Sequence, residues 1–166
     1  MNIFYLHYDP EIAAQMHCDK HVVKMILESA QMLSTAHRVL DGDDHANNVG
    51  MYKMVHRNHP SSIWARSADE NYVWLWMLFD NLMKEYTYRY DKYHASERLI
   101  HSLWELPKNI TFGDFTPPPQ CMPDYCKNDN AVSAYQNYYI LEKSDFATWK
   151  RRDKPEWFYE REKECA

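Results

Sequence analysis

Val73-Trp74-Leu75-Trp76-Met77-Leu78-Phe79 is the stretch whose reading decides the fold. It is apolar at every position, so as a helix it must be covered on all sides. Ser67-Ala68-Asp69-Glu70 before it has the capping-box pattern, and the helical run continues to about Lys92. A buried central helix follows, and helices must surround it. The chain has only 3 Gly against 13 Tyr and 6 Trp, which favours long helices with aromatic packing over a turn-rich sheet. At 166 residues it can close one core and is too short for two ordinary domains. The expected fold is all-α: a compact single-domain helical bundle over residues 1–166, with a charged, aromatic tail from about 150.

Upstream, apolar residues recur at Val22/Val23, Ile26, Ala30, Leu33, His37 and Leu40, in steps of three and four. This predicts an amphipathic helix from Asp19 to about Leu40. Asp9-Pro10-Glu11 reads as an N-cap, a first-turn proline and an acid at the positive end of the dipole, which starts a helix over residues 10–17. Residues 2–8 form a short extended apolar strip. Residues 41–50 are polar; lacking the EF-hand order, they read as a linker. Downstream, a helix is expected over 96–105, then a proline-stiffened loop over 107–127 that either lines a site or straps the bundle. A last helix is expected from Asn128 through about Lys150.

Chemistry concentrates in Gln15-Met16-His17-Cys18-Asp19-Lys20-His21-Val22-Val23-Lys24. His17, Asp19, Lys20, His21 and Lys24 are the candidate catalytic residues. If the second helix reaches back through residue 17, His17, His21, Lys24 and Glu28 share one face. A solvated face with a routine Lys24–Glu28 ion pair is the plain alternative. The i,i+4 imidazoles His17 and His21 could also take a metal, although no cofactor is assigned. A second patch, Lys53, His56, Arg57 and His59 before Pro60, with Arg38 and Arg66 flanking it, could hold a phosphate. Arg89 among tyrosines, and Lys154 with Trp157, complete the candidate nucleic-acid contacts.

The net charge of −5 counts against coating nucleic acid by bulk electrostatics, so any DNA contact must be local. The longest apolar run, Tyr72 to Phe79, is far too short to cross a membrane. Four cysteines without a C-x-x-C pair, and no apolar leader before the first helix, predict a soluble protein of a reducing, cytoplasmic compartment. Oligomeric state is not readable from these features.

Asn2-Ile3-Phe4-Tyr5-Leu6, Glu11-Ile12-Ala13-Ala14-Gln15 with a histidine just after, and Lys154-Pro155-Glu156-Trp157-Phe158 together resemble the pyrimidine-dimer DNA glycosylases of the endonuclease V type. Met16-His17-Cys18-Asp19-Lys20-His21-Val22-Val23-Lys24 paired with His56-Arg57-Asn58-His59-Pro60 is similar to a family of marine tailed-phage proteins that brings no activity with it. The first resemblance implies a helical phage repair enzyme working in an infected bacterial host. It further implies an exposed threonine amine and a glutamate on the first long helix that form a Schiff base with the sugar. This chain has Asn2 and, without gaps, Val23 at those places. The expected function is therefore DNA-base processing, glycosylase- or lyase-like, with rebuilt catalytic groups. A metal-dependent enzyme using the histidines is one alternative. A non-catalytic phage accessory protein binding nucleic acid or a host protein is the other.

Overall fold

The computed structural model describes Met1–Phe158. The helices are α1 (Pro10–Met16), α2 (Asp19–Asp41), α3 (Asp44–Asn48), α4 (Pro60–Ser67), α5 (Asp69–Tyr90), α6 (Ile100–Trp104) and α7 (Ala131–Tyr138). Single 3-10 turns precede α6 at Ala95–Leu99 and interrupt the proline-rich loop at Asp124–Cys126. No strand occurs among the described residues, and the fold is all-α. None of the described helices is long and apolar enough to cross a membrane.

α5 is the central element. Tyr72, Leu75, Phe79 and Leu82 have no exposed surface, and α1, α2, α4 and α6 all pack on it. It is not covered all round, since Met77 remains 41% exposed and opens one face to solvent. α2 buries Val22, Met25, Ile26, Ala30 and Leu33, while Val23 points outward. It stops at Gly42, whose φ of +83° suits a residue without Cβ and whose N–H donates to the Arg38 carbonyl.

The N-terminal strip buries Ile3, Phe4, Tyr5 and Leu6 without joining a sheet. Side chains satisfy its backbone instead: Gln136 Nε2 donates to the Leu6 carbonyl at 3.3 Å and Trp74 Nε1 to that of Tyr8 at 3.0 Å.

Two local expectations are corrected. The capping box before α5 does not form, because Ser67 ends α4 and Ala68 is the N-cap. Asp69, Glu70 and Asn71 instead accept from the backbone N–H groups of Gly113, Phe115 and Thr116, stitching the proline-rich loop down as a strap. The helix expected to reach Lys150 ends at Tyr138, followed by one π-helical turn over Tyr139–Lys143. Beyond it, Phe146 and Trp149 pack from irregular backbone. The end of the mixed-charge tail, residues 159–166, lies outside the described residues.

Candidate functional site

α1 and α2 are separate helices, and this reorganises the 15–24 stretch. His17 caps the C-terminus of α1 and Cys18 is extended (φ −66°, ψ 160°), so the shared helical face expected for His17 and His21 does not exist. His17 has no exposed surface; its Nδ1 lies 2.6 Å from the Ala13 carbonyl and must carry the hydrogen. Burial, reinforced by Arg89, lowers its pKa to about 4 against the opposing Ala13 bond. His21 stacks on Phe4 with ring centroids 4.2 Å apart, and its Nδ1 lies 2.7 Å from the Tyr139 hydroxyl. Burial first, then His17 and nearby lysines, lower its pKa to about 3. Both imidazoles are neutral core groups at neutral pH.

Asp19 is a structural anchor. Its carboxylate accepts from Arg89 Nη1 (3.0 Å), Thr148 Oγ1 (2.9 Å) and the Lys150 N–H (2.8 Å). Arg89, expected to face nucleic acid, is fully buried and divides its donors among Glu85, Asp19 and the Gln15 carbonyl. Arg38 is likewise occupied internally, by Tyr52 O, Met51 O, Asp43 and Asn47. Both guanidiniums are buried and turned to internal partners, so neither is presented to a phosphate. Lys20 is exposed, with its ammonium 4.7 Å from the Phe146 ring centroid.

Of the remaining candidates, Lys24 and His59 come together elsewhere, around Glu28. Its carboxylate faces two amines: Lys24 Nζ is 3.7 Å from Oε1 and the Met1 ammonium is 3.9 Å from Oε2. The Asn2 N–H approaches the same Oε2 at 3.3 Å. The Lys24 side chain is 60% exposed, whereas those of Met1 and Glu28 are 2% and 15% exposed, so the lysine amine stands at the surface over a largely covered carboxylate.

The strip reaches this position because Asn2 is clamped. Its Nδ2 donates to the Cys121 carbonyl, and its Oδ1 accepts from the Ile3 N–H and meets the Tyr135 hydroxyl.

The second patch closes the site. Thr35 on α2 bonds both backbone groups of Val55, which holds the following turn against the helix. His56 takes φ +46°, a left-handed conformation uncommon outside glycine, and the chain turns so that His59 caps α4. His59 Nδ1 accepts from the Ser61 N–H at 3.1 Å. Partial burial, then the Met1 ammonium and His56, lower the His59 pKa, while Glu28 opposes.

Comparison with protein-family models, curated proteins and solved structures returns no match. Arg66 donates to the Arg57 carbonyl (2.8 Å) and to Ser62 Oγ, and burial with the neighbouring Arg57 charge lowers its pKa. These two arginines flank the His59 turn, with Lys53 exposed on the loop before it. Lys154 and Trp157 lie apart from it. Lys154 is placed over the Phe158 ring, and Trp157 packs on Tyr139 and donates to Met16 sulfur.

Glu28 and the Met1 amine are the members that sequence reading passed over. The Lys24–Glu28 spacing was visible, but an i,i+4 pair looks the same on any solvated helix. The Met1 position depends on where the strip runs. A metal site at His17 and His21 is not formed, since among the described residues no three His, Cys, Asp or Glu side chains are arranged to hold an ion.

Proposed function

We propose that the chain is a DNA-base-processing enzyme of the glycosylase/lyase type whose chemistry is centred on Glu28. The observation that carries this reading is the carboxylate held between two primary amines, at 3.7 and 3.9 Å. A deprotonated amine attacks C1′ of the sugar, the C–N bond to the base breaks, and the base leaves with the bonding pair and gains a proton. Glu28 takes the proton lost by the amine and stabilises the cationic sugar as it develops. The amine–sugar adduct then opens: the C1′–O4′ bond breaks, O4′ takes the proton held by Glu28, and the Schiff base so formed allows loss of a 2′ proton and cleavage of the C3′–O bond, which is the lyase step.

Lys53, Arg57, His56 and Arg66 supply the local positive surface that an acidic chain needs to hold a phosphate backbone. Binding and catalysis are separable by one experiment.

Borohydride reduction with duplexes carrying a pyrimidine dimer or an abasic site should trap a covalent adduct. Peptide mapping should place it on Lys24 or on the Met1 amine, and Glu28→Gln should slow trapping by about 10²-fold or more. Binding that weakens with salt but yields no adduct would replace the enzyme reading with the binding one.

A further inference from the structure

Nine residues beyond Glu28 on α2, about 13 Å along the axis at 1.5 Å per residue, a second site is built around His37. Its imidazole is 2% exposed, and the hydrogen positions follow from its partner. The Tyr72 hydroxyl donates its only hydrogen to the Leu103 carbonyl at 2.6 Å, so at 2.9 Å from His37 Nε2 it must accept. The hydrogen of His37 is therefore on Nε2. Nδ1 is left as a bare acceptor, buried and without a hydrogen-bond partner. An unmatched buried acceptor is costly, so a group that donates to it would be held there.

His37 lines a cavity of about 460 Å³ whose other walls include Asp41, Asp44, His45, Glu105 and Lys108. The His45 ring, which also lines the cavity, has its centroid 6.2 Å from that of His37. Three carboxylates thus face one lysine and two histidines. Asp41 is fixed by the N–H groups of Lys108 (2.7 Å) and Asn109 (3.0 Å); these amides hold its carboxyl below the usual range, against the upward push of partial burial. Asp44 and Glu105 stand exposed at the rim. Burial keeps His37 neutral, with a pKa of about 4 despite the opposing pulls of Asp41 and of the Glu105 carbonyl, which lies 3.5 Å from the Tyr72 hydroxyl bonded to Nε2. The set offers negative charge and one directional acceptor, but among the described residues it does not draw three ligands close enough for a metal ion.

We propose that this cavity binds an organic ammonium ion, one N–H of which donates to His37 Nδ1 while Asp41, Asp44 and Glu105 balance the charge. The chemistry is shared by a free diamine and by a lysine side chain of a partner protein, so two probes are needed. Calorimetry with 1,4-diaminobutane and with Nα-acetyl-lysine N-methylamide, at matched ionic strength, should give saturable one-to-one binding to at least one of them. A tighter diamine points to a free polyamine, and a tighter lysine amide to a partner. The His37 Nδ1 nitrogen resonance should move on binding, because it gains a donor. Asp44→Asn with Glu105→Gln, both at exposed positions, should weaken binding at least tenfold without depending on the buried histidine. No binding of either probe, binding unaffected by the two rim substitutions, or the same resonance shift with sodium chloride alone would overturn the proposal.

Discussion

Arg89→Met is expected to lower folding stability by about 3–5 kcal/mol, the cost of removing one member of a buried charge set. Arg89 Nε donates to Glu85 Oε1 at 2.8 Å, Nη1 to Asp19 Oδ1 at 3.0 Å and Nη2 to the Gln15 carbonyl at 2.9 Å. Methionine keeps the stem but leaves the 4%-exposed Glu85 carboxylate with Arg152 alone. It also strips a partner from the last turn of α1 and from Asp19. Removing the uncovered charge as well, with Arg89→Met and Glu85→Gln together, should recover part of the loss, because the penalty lies mainly in the orphaned carboxylate. Urea unfolding with an unchanged m-value measures both variants. A loss below about 1 kcal/mol for the single change would show that water reaches Glu85 and the set is not buried in solution.

The protein should also be acid-labile well above the range in which carboxylates titrate. His17, His21 and His37 are buried with pKa values lowered to about 4, 3 and 4. A histidine depressed in the folded state binds its proton more readily when unfolded, so acid favours unfolding. The stability is complete above the unfolded value near pH 6.5 and falls as pH drops toward 4. Each such histidine costs about 1.4 kcal/mol per pH unit in that window. Three together cost about 6 kcal/mol by pH 5, a large part of the 5–15 kcal/mol that holds a typical domain folded. Chemical denaturation at successive pH values should show this slope, and His21→Phe should reduce it by about one third. A flat profile between pH 6.5 and 5 would contradict the neutral, buried placement of the three rings.

The parts of the fold legible in the sequence are those set by local signals. Asp9 and Pro10 start α1 as expected, with the Asp9 carboxylate accepting from the Glu11 N–H, and the three-and-four spacing marks α2. Elsewhere distant groups decide. The break at Cys18 depends on the Asp19 N–H donating to the Thr148 carbonyl, 129 residues away, which no local pattern encodes. Asp69 and Glu70 satisfy N-cap statistics, yet their oxygens are taken by the proline-rich loop.

The same division holds for the candidate site. The His56–His59 turn was visible as a basic, proline-ended segment, whereas its meeting with Glu28 requires the path of the N-terminal strip. His37 belonged to an apolar stripe in sequence, and residues 41–50 read as a linker. Only the folded chain places the stripe's histidine against that loop.

The indole of Trp149 donates to the Met16 carbonyl at 2.8 Å, beside the Asp19 contacts to Thr148 and Lys150. These bonds join residues 129 to 133 positions apart. Closing so large a loop costs more entropy than local pairing and is rewarded only when both partners are already formed. The clasp should therefore assemble last in refolding, after the α2–α5 pair, and Trp149 is placed to report that final step. In a variant that keeps Trp149 and replaces the other five tryptophans by phenylalanine, its emission change should lag behind the recovery of helical ellipticity, so that this phase measures the joining of the two ends of the chain.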